Sequence, residues 1–310
     1  MRFIQREVDL TVKGARCGVC GSDRLRDLYW ASDRNFSTTS ERFLIAECSA
    51  CRIAQTIPRP SEQEISHYYP PVYYPTSELS QRDYDRQIGK FQRDKLLRLT
   101  MHRSKGKLLD VGCGVGYFVK EAQAAGFDAQ GIELSETPVM IGQQRWSLDL
   151  RCGDLLDSDY PPRSFDVITF WQAFEHMLHP VQVLDKTRDL LKPKGLLVIA
   201  IPNFNSIQSR IFRERWYHLE VPRHLFHYNP DSLSSLVRNH GFEVVGVNFH
   251  SREHNWAGIL GSILHFAPSA EPFIHKLFRK TIGLYASRIL AEIESRLRRG
   301  GTFELYSVRN

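Results

Sequence analysis

The sequence predicts an α/β protein built on one doubly wound sheet of seven strands, with a cysteine-bearing ribbon before it and a helical insertion near its end. Three observations predict this. Residues 107–253 alternate short apolar runs with helical patterns, the order that gives a mostly parallel sheet covered by helices on both faces. The run Leu108-Leu-Asp-Val-Gly-Cys-Gly-Val-Gly-Tyr117 sets a strand, a glycine turn and a helix start in succession. Two Cys-x-x-Cys pairs stand ahead of the alternating region.

The length of 310 residues exceeds one typical domain and leaves ample core. The hydrophobic and charged fractions, 42% and 25%, suit a globular chain. No apolar h-region follows Met1-Arg-Phe-Ile, and the longest apolar stretch, Trp256 to Ala267, is too short to span a bilayer. The cytoplasm is the expected compartment. A net charge of +6 is mildly basic; it suits nucleic acid, an anionic lipid surface or a phosphorylated substrate, and selects none of them.

Residues 1–60 hold Cys17-Gly-Val-Cys20 and Cys48-Ser-Ala-Cys51. Two matched knuckles predict a Cys₄ zinc ribbon. Four thiolates fill a tetrahedron and leave no position for water, so the expected role of zinc is structural. A metal also explains how a segment with few large apolar residues could fold. A redox pair or disulfides are the rival readings; neither requires two matched knuckles. Residues 61–106 begin as a proline-stiffened linker, pass through Tyr68-Tyr-Pro-Pro-Val-Tyr-Tyr-Pro75, and continue as a polar helix over Ser80–Arg103 that covers the site.

In the third region, 107–310, strands are expected near 107–111, 128–132, 149–152, 165–171, 195–201 and 243–249. Helices are expected near 116–125, 138–146, 181–190 and 230–239. Pro138, Pro180 and Pro230 suit helix starts; Gly126 and Gly241 suit helix ends. Gly301-Thr-Phe-Glu-Leu-Tyr-Ser-Val308 alternates apolar and polar residues and makes the last strand. The insertion at about 252–300 carries apolar residues at helical spacing, among them Ile282, Leu284, Ile289, Leu290, Ile293 and Leu297, with Lys and Arg between them. Such a helix can cap the substrate pocket, make a homodimer or lie on an anionic membrane surface; the first two are the leading expectations.

The glycine turn decides the ligand. A dinucleotide fingerprint, G-x-G-x-x-G, would need glycine at 117, where Tyr117 stands. The spacing is instead D-x-G-x-G-x-G, from Asp110 through Gly112 and Gly114 to Gly116. A carboxylate inside the turn repels a pyrophosphate and favours a ligand with a positive or neutral end. Glu133 ends the next strand and can hold ribose hydroxyls. On these residues the sequence resembles the class I S-adenosylmethionine-dependent methyltransferases. The resemblance implies a Rossmann-like fold whose last strand runs antiparallel beside the sixth. It also implies a donor site in which Asp110 and the glycines face the methionine end and Glu133 takes the ribose. Asp154 would accept from the adenine amino group, with Leu134, Leu155 and Trp171 beside them.

Methyl transfer also needs an aligned acceptor and, for a hydroxyl, a base. Phe170-Trp-Gln-Ala-Phe-Glu-His-Met-Leu-His-Pro180 ends the fourth strand. Its Glu175-His176 pair resembles the E-H-x-x-x-P segment of ubiquinone-biosynthesis-like O-methyltransferases and of zinc-ribbon sugar methyltransferases. Some quinone enzymes bind a metal through E-x-x-E-H; the first position here is Gln172, so the resemblance does not carry that metal over. Trp216-Tyr-His-Leu-Glu-Val-Pro-Arg-His-Leu-Phe-His-Tyr228 follows the fifth strand, on the edge where substrates enter this fold. His176 is the expected base and His224 the alternative, with Glu175 and Tyr74 beside them; Tyr69, Arg223 and His227 are the expected substrate contacts. A packed tyrosine segment, a structural post-strand histidine and a loop held by its own hydrogen bonds are the plainer readings of these positions. The expected reaction is O-methylation of a hydroxylated small molecule such as a sugar, glycan or glycolipid. C-methylation of a nucleotide sugar is one alternative, and RNA modification or binding through the ribbon another. Acidic residues interspersed among the ribbon's arginines, and the lack of an aromatic-basic platform, speak against nucleic acid.

Overall fold

The computed structural model describes residues 14–70, 73, 81–266 and 282–310. Its central sheet has seven strands: β4 (Lys107–Val111), β5 (Asp128–Glu133), β6 (Leu150–Cys152), β7 (Phe165–Trp171), β8 (Leu191–Pro202), β10 (Phe242–Asn248) and β11 (Thr302–Arg309). The order is β10-β11-β8-β7-β4-β5-β6. β4 pairs in parallel with β5 and β7, and β7 with β8; β11 runs antiparallel between β8 and β10. The seven expected strands are all present, the fifth starting earlier than its apolar run.

Helices α3 (Tyr117–Ala124), α4 (Glu136–Trp146), α5 (Pro180–Leu190) and α7 (Pro230–Asn239) are the crossovers. Asn229 caps α7, its side chain accepting from Asp231 N and Ser232 N, and Pro230 fills the first turn, where a missing N–H costs nothing. The core lies on both faces. One cluster contains Leu109, Val111, Ile168, Phe170 and Ile199. The other contains Leu108, Phe118, Val119, Val167 and Val198, with Leu96 and Leu99 of α2 (Gln81–Thr100) packed on it. Successive strand residues thus feed opposite faces, as the pleat requires. The covering helix is therefore built into the domain. It is clamped at its end by Arg98, whose Nε donates at 2.8 Å to Oε2 of the buried Glu304 on β11.

The ribbon is less separable than the sequence suggests. Strands β1 (Leu25–Ser32), β2 (Arg42–Cys48) and β3 (Ala54–Ile57) form an antiparallel sheet, but its fourth strand is β9 (Phe226–His227). Its core mixes Phe43, Ile45 and Ala54 with Trp216, Leu219 and Val221. A boundary at residue 60 therefore cuts through one hydrophobic cluster. Two short helices, α1 (Glu62–Ile65) and α6 (Ile207–Phe212), join the units.

The insertion contains α8 (Arg252–Leu264) and a final helix α9 (Ile282–Arg296). The apolar face expected to cap a pocket is turned outward: Ile289, Leu290, Ile293 and Leu297 are exposed. The polar side of α9 points inward instead. Gln208 Nε2 donates to Glu294 at 2.7 Å and to the Asn255 carbonyl at 2.8 Å, while Asn255 Nδ2 donates to Ser295 Oγ at 3.0 Å. Buried polar groups satisfied in this way outweigh the hydropathy pattern. No helix among the described residues is long and apolar enough to cross a membrane.

Candidate active site

The C-terminal ends of β4, β5, β6 and β7 converge on one edge, where ligands bind in doubly wound sheets. Gly112, Gly114 and Gly116 stand at φ +70°, +54° and +85°, a region that other residues enter at a cost. A Cβ on Gly112 would also lie 2.6 Å from Ala173 Cβ, so the turn presses against the loop after β7. The amides of Gly112, Cys113, Gly114 and Gly116 donate within the protein, to the Ile132 carbonyl, the Glu133 carboxylate and the Cys113 carbonyl, which fixes the shape of the turn. Glu133 braces the turn: its carboxylate accepts from Gly114 N at 3.0 Å and Ser135 N at 3.1 Å.

Asp110 lies beneath. It is buried, accepts from Thr169 Oγ1 at 2.7 Å, and is pushed up to about 7 by burial. Lys95 of α2 opposes that shift and sits 5.3 Å from the Trp171 ring centroid, on a tryptophan that also packs on Phe118. Asp154 is exposed after β6 and accepts from Leu156 N at 2.8 Å. Leu134 is 66% exposed, an apolar side chain open to the cleft edge. Leu155 differs from expectation: its side chain joins the core, so only its main chain can face a ligand.

The second half of the site is a 3₁₀ turn, Phe174–His176, held against the 216–228 segment. His176 Nδ1 lies 3.1 Å from the Arg223 carbonyl and 2.8 Å from the Tyr69 hydroxyl. The carbonyl can only accept, so a hydrogen bond to it needs the hydrogen on Nδ1 and leaves the lone pair on Nε2, with the Tyr69 hydroxyl then a second acceptor; a Tyr69 hydroxyl that donates would put the lone pair on Nδ1 instead. His224 Nδ1 donates likewise to the His218 carbonyl at 2.9 Å, and the two rings meet edge to face at 4.6 Å. His224 Nε2 stands 3.9 Å from Glu175 and 3.6 Å from Glu220. Burial lowers His176 to about 4 and holds His224 well below the usual range, while it raises Glu175 well above that of a carboxylate. Neither Glu175 oxygen has a hydrogen-bond partner among the described residues. Burial thus works against charge on all three groups, the carboxyl as well as the two imidazoles. One atom from each of Glu175, His176 and His224 lies within 4.8 Å of the others.

Two expected substrate contacts turn out to be internal. Arg223 is wholly buried; its Nη2 donates to Asp33 at 2.7 Å, Nη1 to Asp33 and to the Tyr68 carbonyl, and Nε to Glu220. A guanidinium with four of its five N–H donors so committed, and no exposed surface, is an internal anchor and not a substrate grip. His227 is buried on β9 against Thr56 Oγ1 at 3.1 Å, stitching β9 to the ribbon. Tyr69 faces His176 as expected of a site residue; Tyr74 lies outside the described residues. Sequence reasoning missed Asp33, Glu220, Lys95 and Thr169. Thr169, one strand over from Asp110, was findable from strand register; Asp33 carries no motif at all.

The four ribbon sulfurs lie within 4.8 Å of one another, with Cys17–Cys51 and Cys20–Cys48 each at 3.6 Å. A disulfide needs about 2.05 Å. Tetrahedral zinc, with Zn–S of about 2.3 Å, sets its sulfurs about 3.8 Å apart.

The family described as "Methyltransferase domain" matches residues 84–247, more than half of the chain. The chain belongs to the methyltransferase-domain family. It is an S-adenosylmethionine-dependent methyltransferase with a Rossmann-like α/β fold. A ubiquinone biosynthesis O-methyltransferase of Cereibacter sphaeroides is 27% identical over 165 residues, 49% of this chain and 67% of that one. A probable S-adenosylmethionine-dependent methyltransferase of Mycolicibacterium smegmatis is 27% identical over 148 residues, 46% of this chain and 54% of that one. Little more than half of the latter relative is thus spanned. A solved methyltransferase from Archaeoglobus fulgidus shares the fold at a TM-score of 0.50 and 17% identity, covering 71% of this chain and 94% of that one.

Proposed function

We propose that this methyltransferase O-methylates a hydroxylated small molecule such as a sugar, glycan or glycolipid, with His176 as general base. The observation that carries the base assignment is the Nδ1 contact with the Arg223 carbonyl, which favours the hydrogen on Nδ1 and a lone pair on Nε2. An imidazole lowered to about 4 is neutral, and so competent to accept a proton, throughout the physiological range. Glu175 and His224 adjoin it in the same buried cluster.

The donor, S-adenosylmethionine, supplies a methyl group on a positively charged sulfur. Asp110 would face its ammonium, the Gly112–Gly116 turn would approach its main chain, and Glu133 would accept from its ribose hydroxyls. Asp154 would accept from the adenine amine, with Leu134 packed on the ring and Trp171 closing the floor near Asp110. Tyr69, placed by its hydroxyl at His176, would meet the acceptor. Zinc in the Cys17, Cys20, Cys48 and Cys51 site would be structural, since four thiolates complete its shell.

The test is a screen of methyl transfer from labelled donor to sugar nucleotides, glycolipids, quinones and RNA. Transfer to a sugar hydroxyl is expected, with an O-methyl signal in the product. His176→Ala should lower kcat by about 10²–10⁴-fold, with S-adenosylhomocysteine affinity unchanged. Transfer to carbon would replace the reaction class, and transfer to RNA or a quinone alone would sink the acceptor class.

A further inference from the structure

Both hydrogen-bond partners of His176 Nδ1 hang on one guanidinium. The first partner is the carbonyl of Arg223 itself. The second is the hydroxyl of Tyr69, whose neighbour Tyr68 gives its carbonyl to Arg223 Nη1 at 3.0 Å. The orientation of that guanidinium is set from the ribbon. Asp33, just after β1, binds it with both oxygens, at 2.7 and 3.1 Å. Asp33 is itself fixed by Thr38 N at 2.8 Å, Thr38 Oγ1 at 2.6 Å and Phe36 N at 3.2 Å. The Phe36 ring covers the guanidinium at 4.6 Å, and Glu220 holds Nε at 3.1 Å. Both Arg223 and Asp33 have fully buried side chains.

We infer that Asp33 of the N-terminal ribbon is a positioning residue for His176, acting through Arg223 to fix which imidazole nitrogen carries the hydrogen. The physical steps are short. A bidentate carboxylate locks the planar fork of an arginine. A locked side chain with no exposed surface locks its own main chain, and hence the carbonyl that His176 faces. That carbonyl cannot donate, so its fixed place at Nδ1 favours the hydrogen there and the lone pair on Nε2, over the alternative in which the Tyr69 hydroxyl donates to a bare Nδ1. The ribbon in this way reaches the reaction centre without touching a reactant. A base oriented by a second, buried group is a recurring arrangement in acid–base catalysis; here the orienting carboxylate is two residues removed and belongs to a different sheet.

The inference rests on His176 as the base, and its test avoids turnover. The full zinc-loaded chain is labelled with ¹⁵N in its imidazoles, and two-bond ¹H–¹⁵N correlations read the tautomer of His176. The wild type is expected as Nδ1–H. Asp33→Asn, which keeps the shape but loses the charge, should shift the tautomer ratio toward Nε2–H by about tenfold, the effect of weakening one buried hydrogen bond. Arg223→Lys, which keeps the charge but not the fork, should do the same and serves if Asp33→Asn does not fold. Zinc content and S-adenosylhomocysteine affinity should match wild type in both. A wild-type His176 found as Nε2–H would overturn the inference. So would folded variants that melt earlier with an unchanged tautomer, because Asp33 would then be only a staple between ribbon and sheet. The base reading fails separately, on an undiminished rate in His176→Ala, and the tautomer measurement does not depend on it.

Discussion

Asp110→Asn should make the ligand-free protein more stable and the donor complex weaker. The folded carboxyl is raised from 3.8 to about 7 by burial. Its folded value lies above its unfolded value, so the native state holds the proton more tightly. The stability this confers is fully present below 3.8 and is lost as pH rises through 7. A gap of about three pH units at 1.36 kcal/mol each is about 4 kcal/mol of native-state strain at pH 8. Asparagine carries no charge to strand, and its amide oxygen can still accept from Thr169 Oγ1. Differential scanning fluorimetry at pH 8 should show a rise of roughly 8 °C, taking about 2 °C per kcal/mol for a chain of this size. At pH 4 the difference should nearly vanish. Isothermal calorimetry with S-adenosylhomocysteine should show the reverse, a loss of about tenfold or more from a missing charge-assisted hydrogen bond. The reasoning is refuted if the variant melts lower at pH 8, or if it binds the ligand as tightly as wild type.

Other expectations follow from the same geometry. Gly112→Ala needs a left-handed alanine, at about 1–2 kcal/mol, and sets its Cβ against Ala173, so both melting temperature and ligand affinity should drop. Glu304→Ala removes the buried acceptor shared by Arg98, Tyr306 and Asn248; urea unfolding should show a loss of about 3–5 kcal/mol. Cys48→Ser, which would break the zinc site proposed for the ribbon, should raise hydrogen exchange at Phe226 and His227 as well as in residues 42–57; protection unchanged at 226–227 would mean β9 stands without the ribbon. With an acceptor in hand, the single-turnover rate should stay level from pH 7.5 to 5, since His176 is lowered to about 4 and charges only below that; a fall near 6.5 would place the base on an exposed histidine.

Strand and crossover positions were legible because periodicity, proline and glycine agree with one another there. Leu108 to Tyr117 shows this most plainly, since each residue has a local reason for its conformation. The placement of Asp110, Glu133 and Asp154 at or just past strand ends was legible for the same reason, since strand ends are fixed by pattern. The catalytic half was only partly legible. Glu175 and His176 are neighbours in sequence, but what defines them is a carbonyl 47 residues away. Arg223 reads as a surface cation because arginines usually are; its burial depends on Asp33, 190 residues away. The orientation of α9 could not be read from hydropathy, because Glu294 and Ser295 are drawn inward by Gln208 and Asn255, and such a network has no period.

The pairing of β3 with β9 has a consequence for how the chain is made. Synthesis delivers the N-terminal part first, and domains generally fold as they emerge. Here the cysteine knuckles leave the ribosome complete, but the strand that closes their sheet, and the Trp216, Leu219 and Val221 side chains that cover it, arrive only after β4 to β8. Until then the nascent ribbon offers an open edge and an uncovered apolar face, both prone to wrong partners. Order in that waiting segment would have to come from its own β1–β2–β3 pairing and from the proposed metal site of the four sulfurs.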